Sequence, residues 1–194
     1  MNHHPRILIV DDEPFNVDYL EQELSDLDYE TLTAVNGQEA LEKIRGESPD
    51  LVLLDIMMPI MDGFSVLEQV KADPAIRTIP IIVISANSDL QSVVKGIKMG
   101  ADDYLPKPFE PTILHARITA SLDRKRLRDQ EQMYLQSLEN ELNIARNIQK
   151  EFLPFDLPAI AGWQIGAYFK AAKFVAGDYY DAFLLADGNL MFVV

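Results

Sequence analysis

The sequence contains no cysteine among its 194 residues. A chain without cysteine can form neither a disulfide framework nor a zinc site built on thiolates, so both are excluded. It also lacks an apolar run of the roughly 18–20 residues that a membrane-spanning helix requires. The amino-terminal stretch "MNHHPRILIVDDE" turns acidic after a short apolar run, which is not the pattern of a signal peptide. We therefore expect a cytoplasmic protein.

Basic side chains are scarce as well. The sequence has 17 Lys and Arg against 31 Asp and Glu, a net charge of −14. Such a chain repels nucleic acid and anionic membranes, so we expect neither as a partner. The exception is residues 124–150, with 6 basic and 4 acidic side chains. The run "DRKRLRD" there could suggest a DNA-reading helix-turn-helix, but on one continuous helix its charges scatter around the axis.

Five short apolar runs alternate with amphipathic stretches in the first 110 residues. The run "DLVLLD" has no polar face, which is typical of a strand buried on both sides. Residues 14–27 show apolar side chains at helical spacing, and further helices are expected around 40–44, over 64–72 and over 88–99. This order predicts an α/β fold with a doubly wound, five-stranded parallel sheet. The predicted strands are "RILIV", "ETLTAV", "DLVLLD", "IPIIVIS" and "DYL".

The carboxyl ends of these strands carry unusual chemistry. Asp11 and Asp12 end the first strand, Asp55 the third and Ser85 the fourth, while Lys107 follows the fifth. Ligands bind at this edge of a doubly wound sheet. Two carboxylates 4 Å apart repel by about 4 kcal/mol at an effective dielectric of ~20, and a hard divalent cation relieves that repulsion. Each residue alone could be an ordinary turn residue, but the set favours a site with Asp55 as nucleophile.

Four motifs resemble the receiver domain of two-component response regulators over about residues 5–122. They are "LIVDDEP", "LVLLDIMMPIMDGF", "IIVISA" and "GADDYLPKPF". The resemblance implies that Asp55 accepts phosphate from a sensor histidine kinase or phosphotransfer protein. It also implies Mg2+ at Asp11 and Asp12, with Asp12, Asp55 and the backbone carbonyl of Met57 as direct ligands.

The same resemblance implies a switch. The Ser85 hydroxyl would move to the phosphoryl group while the Tyr104 ring turns inward. Lys107 would pair with a phosphoryl oxygen, next to a cis bond to Pro108. We accordingly assign residues 1–122 to a receiver domain.

A linker helix is predicted over residues 110–153, because no Gly or Pro stands between Pro111 and Pro154. Some 40 residues at ~1.5 Å each make a rod of roughly 60 Å. An apolar stripe with a seven-residue repeat indicates a coiled coil and a homodimer. The alternative is that this stripe packs onto the segment after Pro154. The stripe consists of Leu135, Leu138, Leu142, Ala145, Gln149 and Phe152, with Arg124, Arg128 and Glu131 weakening it upstream.

Residues 154–194 form a segment rich in glycine, aromatic residues and short apolar runs. "ADGN" between two apolar runs is typical of a hairpin, so two or three strands of an incomplete β-rich domain are expected. "ARNIQKEFLP" and "GDYYDAF" resemble the start of a bacterial type 2C-like (PPM-type) serine/threonine phosphatase. In that family aspartates bind two Mn2+ or Mg2+ ions, and a metal-bound water attacks the phosphoserine or phosphothreonine.

The phosphatase resemblance implies Asp178 as the first metal ligand, Gly177 as a slim neighbour and Asp181 as a further candidate. Ala176 stands where the family usually has glycine, and the next acidic element would follow Val194. We therefore expect a fragment of the effector domain.

Two functions remain open at this point. One is a response regulator whose phosphorylation controls a phosphatase that acts on a phosphoprotein such as an anti-sigma antagonist. The other is a receiver with a degenerate, non-catalytic adaptor domain that binds a regulatory partner.

Overall fold

The chain folds into two compact units, residues 1–128 and residues 129–194. The computed structural model describes residues 4–25, 27–86 and 90–194. The first unit contains five strands: β1 (Arg6–Val10), β2 (Glu30–Ala34), β3 (Leu51–Leu54), β4 (Ile81–Ser85) and β5 (Asp103–Pro106). All neighbours pair in parallel, in the order β2-β1-β3-β4-β5. The predicted five-stranded, doubly wound parallel sheet is confirmed.

Helices connect the strands and cover both faces of the sheet. They are α1 (Pro14–Ser25), α2 (Gly37–Glu47), α3 (Gly63–Ala72), α4 (Leu90–Lys98) and α5 (Pro111–Phe152). The prediction for the first helix was too long, because Leu27 lies outside α1 and is 38% exposed. The chain turns there, since Asp28 takes the left-handed φ of 58°. Residues 88 and 89 of the predicted fourth helix lie outside the described residues.

The core is divided by the sheet into two layers. Every residue of β3 and β4 is buried, as expected of strands covered on both faces. Successive side chains of a strand point to opposite faces. Leu8 and Val10 accordingly belong to one apolar cluster, and Ile7 and Ile9 to the other. This packing fixes the register that brings the carboxyl ends of the strands to one edge.

The amino-terminal part of α5 belongs to the first unit and is tied to it by its basic run. Lys125 Nζ lies 3.2 Å from Asp50 Oδ1, and Arg128 donates to the backbone carbonyl of Thr78. Arg124 donates to the hydroxyl of buried Ser121 at 2.9 Å. Three cations of "DRKRLRD" therefore make contacts within the first unit.

The second unit contains an antiparallel hairpin of β6 (Asp181–Leu184) and β7 (Leu190–Val193). Gly188 in its turn has a φ of 84°, a conformation that glycine adopts without steric cost. The hairpin predicted at "ADGN" is confirmed. Of the "GDYYD" motif only Asp181 belongs to β6, and residues 177–180 precede the strand.

The apolar stripe of α5 is only partly covered within the chain. Leu135 is 54% and Leu142 36% exposed. Gln149 fits the alternative in which the stripe packs onto the segment after Pro154, because its side chain contacts Ala176 in that segment. The coiled coil remains a prediction. Across the described ranges, no helix combines the length and apolar composition needed to cross a bilayer.

Candidate phosphoacceptor and metal site

Asp11 follows β1 at the carboxyl edge of the sheet and is 2% exposed. Its Oδ1 accepts from the backbone N–H of Glu13 and from Asn16 Nδ2, both at 3.0 Å. Asn16 is a residue that the sequence analysis missed. No signal of residue type marked it, because it lies on the first turns of α1 and meets Asp11 only through the local bend. These donors orient the carboxylate toward the crevice.

Asp55 follows β3 beside Asp11 and is 8% exposed. Its N–H donates to the carbonyl of Val10 at 2.8 Å, which continues the β1–β3 pairing by one residue. Its Oδ1 accepts from the N–H of Met57 at 3.1 Å, while the Met57 side chain is 69% exposed. The backbone beneath Asp55 is closely packed against Gly63, where a Cβ would lie 2.2 Å from the Asp55 carbonyl oxygen.

Lys107 joins the two carboxylates. Its Nζ lies 2.6 Å from Asp11 Oδ2 and 2.6 Å from Asp55 Oδ2. Its N–H donates to the carbonyl of Ser85 at 2.9 Å, and the bond to Pro108 is cis, as the resemblance implies. Burial acts to lower the pKa of the ammonium, but hydrogen bonds to Asp11 and Asp55 outweigh it and raise the pKa above 10.5. Lys107 is therefore charged throughout the neutral pH range.

Asp12 completes an acidic cluster. Carboxylate oxygens of Asp11, Asp12 and Asp55 all lie within 4.8 Å of one another, with Asp12 exposed. Oxygen donors in this arrangement fit a hard divalent cation such as Mg2+, which takes one or two protein carboxylates and keeps several waters. The exposed position of Asp12 leaves one side of the cluster open to water and substrate.

Ser85 and Tyr104 lie on neighbouring strands behind this cluster. Ser85 ends β4 and is fully buried, and Tyr104 on β5 is 6% exposed. The Tyr104 ring belongs to the same apolar cluster as Phe64 and lies 3.5 Å from where a Cβ on Gly96 would stand. The ring is thus already turned toward the interior.

The residues predicted for the effector lie in the second unit. Asp178 and Gly177 precede β6, and Asp181 begins it. The Oδ2 of Asp181 accepts from the Tyr179 hydroxyl at 3.4 Å. In the part of the chain that the structure describes, the acidic cluster of Asp11, Asp12 and Asp55 is the one group of three that could hold a metal.

Replacing Lys107 with methionine should make the protein depend more strongly on Mg2+. Without the added ion, loss of the ammonium leaves two buried carboxylates without a cationic partner, and we expect a cost of about 3 kcal/mol in unfolding free energy. Because the Lys107 pKa is raised, its contribution to stability is fully present at neutral pH and is lost only as the pH rises through the raised pKa, so the loss should appear at pH 7. Urea unfolding with and without Mg2+ measures it.

Mg2+ should stabilise Lys107→Met more than the wild type, because the ion no longer competes with the ammonium. Lys98→Met is the matched control, since Lys98 is exposed on α4. Equal stabilisation of the wild type and Lys107→Met by Mg2+ would contradict this account.

The known proteins that resemble this chain match the part that forms the first unit. The family model for the response regulator receiver domain matches residues 7–119. The chain is 43% identical to the response regulator PleD of Caulobacter vibrioides over 122 residues, 63% of this chain and 27% of PleD. It is 44% identical to the "Probable transcriptional regulator ycf27" of Guillardia theta over 119 residues, 61% of this chain and 46% of that protein. The chain thus spans less than half the length of these relatives.

The structural comparison agrees. A response regulator receiver domain protein from Methanospirillum hungatei superposes with a TM-score of 0.61 at 32% identity, covering 65% of this chain and 99% of that one. The family match ends at residue 119, so it gives no support to a phosphatase domain in residues 154–194.

The family match also bears on the metal. Receiver domains bind Mg2+ at an acidic pocket, which in this chain is the cluster of Asp11, Asp12 and Asp55. The match covers more than half of the chain, and the sheet order and acidic edge described above lie within it. The chain belongs to the response regulator receiver domain family.

Proposed function

We propose that the first unit is a phosphoacceptor whose acceptor residue is Asp55. Receiver domains take phosphate from a sensor histidine kinase or a phosphotransfer protein. The observation that carries the proposal is Lys107 Nζ at 2.6 Å from both Asp11 and Asp55, with Asp12 in the same cluster. This arrangement unites a nucleophile, a cation and ligands for a metal at the open edge of the sheet.

The proposed step transfers a phosphoryl group from a phosphohistidine. A carboxylate oxygen of Asp55 attacks phosphorus, the P–N bond breaks and the electron pair stays on the imidazole nitrogen. Lys107 exchanges its contact with Asp55 for a phosphoryl oxygen, while the Met57 N–H holds the other Asp55 oxygen. Asp12, Asp55 and the Met57 carbonyl would hold Mg2+, which would supply positive charge opposite the transferring phosphoryl group.

Ser85 and Tyr104 are the proposed switch. The phosphoryl group would draw the Ser85 hydroxyl toward the crevice, and the space behind it would hold the Tyr104 ring in its buried position. Both residues lie on strands that end at the acidic edge, and register Ser85↔Pro106 places β5 directly beside β4.

Acetyl phosphate tests the proposed function without a kinase. With Mg2+, the chain should gain one phosphoryl group by intact mass, and EDTA should prevent the gain because the acidic cluster then repels the incoming phosphate. The Mg2+ and EDTA samples are both incubated at 0.1 M ionic strength, so that charge screening is the same in the two. Equal labelling in EDTA would contradict the metal requirement.

We further propose that residues 154–194 are the start of a PPM-type phosphatase effector, with Asp178 and then Asp181 as ligands for Mn2+ or Mg2+. Support comes from "ARNIQKEFLP" and "GDYYDAF" and from an exposed "GDY" segment next to a hairpin. A non-catalytic adaptor domain is the alternative. Assay of the effector in the full-length protein on a phosphoserine peptide with Mn2+ decides between them.

The stripe of α5 is the proposed dimer contact, because Leu135 and Leu142 are exposed on the same helix face. Light scattering with and without beryllofluoride should show a dimer in at least one condition, and Leu142→Asp should weaken it. Ile144→Asp is the matched control, since Ile144 is 60% exposed but lies off the stripe. A wild-type monomer in both conditions would count against the dimer.

A further inference from the structure

Asn16, the third residue of α1, holds one oxygen of the Asp11 carboxylate. Its Nδ2 donates to Asp11 Oδ1 at 3.0 Å, and the same oxygen accepts from the N–H of Glu13 at 3.0 Å. The other oxygen, Oδ2, lies 2.6 Å from Lys107 Nζ. Contacts on both oxygens therefore fix the plane of a carboxylate that is almost fully buried.

The asparagine must present its NH2 group to Asp11, because an ionised carboxylate only accepts hydrogen bonds. The backbone N–H of Asn16 donates to the carbonyl of Glu13 at 3.0 Å, so the turn that begins α1 sets where this side chain starts. Asn16 is half-buried and lines the same cavity as Lys107. It thus lies beside both groups whose contact it can influence.

Helix formation does not explain an asparagine at position 16. Asparagine has a lower helix propensity than leucine, lysine or glutamate. Acidic side chains are favoured in the first turn of a helix, yet α1 has none there. A carboxylate at position 16 would lie within hydrogen-bond distance of Asp11 and repel it. A neutral donor therefore fits a role at Asp11 better than a role in the helix.

We propose that Asn16 is a positioning residue that keeps Asp11 Oδ1 away from the Lys107 ammonium. With Oδ1 held, Asp11 contacts Lys107 through Oδ2 alone. Without the Asn16 donor, the carboxylate is free to turn both oxygens toward the ammonium, and a metal ion must then compete with a stronger contact. The proposal rests on the proposed phosphoacceptor function, in which the cluster of Asp11, Asp12 and Asp55 holds Mg2+.

Asn16→Leu tests the proposal, because leucine is similar in size but has no hydrogen-bonding group. An Mg2+ titration followed by the backbone amide shifts of Asp12 and Met57 measures the affinity without any reaction. Loss of a hydrogen bond to a metal-site carboxylate typically weakens binding 10–100-fold, so we expect half-saturation at roughly tenfold higher Mg2+. Gln22→Leu is the matched control, since it also replaces an amide by leucine, at an exposed position of α1.

Asn16→Gln keeps an amide donor on a longer side chain, so its Mg2+ affinity should lie between those of the wild type and Asn16→Leu. An affinity of Asn16→Leu equal to that of the wild type, or an Asn16→Gln variant that binds no better than Asn16→Leu, would overturn the proposal. At saturating Mg2+, Asn16→Leu should still gain one phosphoryl group from acetyl phosphate, because Asp55 is unchanged. A wild type that binds Mg2+ but gains none would contradict the phosphoacceptor function, while the titration would still decide the role of Asn16.

Discussion

Asp55→Ala is expected to take up no phosphoryl group from acetyl phosphate and Mg2+, where the wild type takes up one per chain. The neighbouring carboxylate cannot replace it. Asp11 Oδ1 already accepts two hydrogen bonds, and Asp11 Oδ2 contacts Lys107 at 2.6 Å. Asp55 Oδ2 shares the Lys107 contact, but Asp55 Oδ1 accepts one hydrogen bond, from Met57, where Asp11 Oδ1 accepts two. Attack by Asp11 would therefore cost more of its contacts than attack by Asp55.

The Asp55→Ala variant should remain folded, since Lys107 keeps its contact with Asp11. Intact mass gives the number of phosphoryl groups, and circular dichroism checks the fold. Asp18→Ala is the control, because Asp18 is an exposed acid of α1 outside the cluster. Labelling of Asp55→Ala at the wild-type level would disprove the assignment of the acceptor.

Gly63→Ala is expected to lower the unfolding free energy by roughly 2–4 kcal/mol, through overpacking of a site that cannot relax. The added Cβ would lie 2.2 Å from the carbonyl oxygen of Asp55 and 2.9 Å from Cα of Ile56. Both are backbone atoms, so a side-chain rotation cannot relieve the clash. The Gly63 N–H also donates to the Ile56 carbonyl at 3.0 Å, which holds α3 at this distance.

Because the backbone that must move carries Asp55, Gly63→Ala should also label more slowly with acetyl phosphate. Gly46→Ala is the matched control, and we expect it to raise the unfolding free energy rather than lower it. A Cβ on Gly46 meets nothing within 4 Å, and alanine in a helix is favoured over glycine by up to about 1 kcal/mol. Urea unfolding of the two variants compares them directly. A stability of Gly63→Ala equal to that of the wild type would mean that the close approach is absent.

The sheet and the acidic cluster were predictable from the sequence for the same reason. Strands buried on both faces read as continuous apolar runs, as in "DLVLLD", and parallel strands end at one edge. Polar residues directly after such runs must therefore meet in space. Asp11, Asp55 and Lys107, up to 96 residues apart, do so.

Contacts that depend on exact backbone geometry could not be predicted. Asn16 reaches Asp11 only because of the bend between β1 and α1, and the closeness of Gly63 to Asp55 depends on the loop after β3. The pairing of Gln149 with Ala176 joins residues 27 positions apart in sequence through a side chain that was assigned to a coiled-coil stripe. Periodicity identifies the face of a helix but not the segment that covers it.

The position of Lys107 has a consequence for ion selectivity. Its ammonium contacts Asp11 and Asp55 at 2.6 Å, so any cation that approaches the cluster competes with a monovalent charge that the chain itself carries. Sodium or potassium would exchange one unit charge for another and gain no Coulomb energy. A divalent ion brings twice the charge, and the attraction between charges scales with their product. At this cluster Lys107 would therefore favour divalent over monovalent cations.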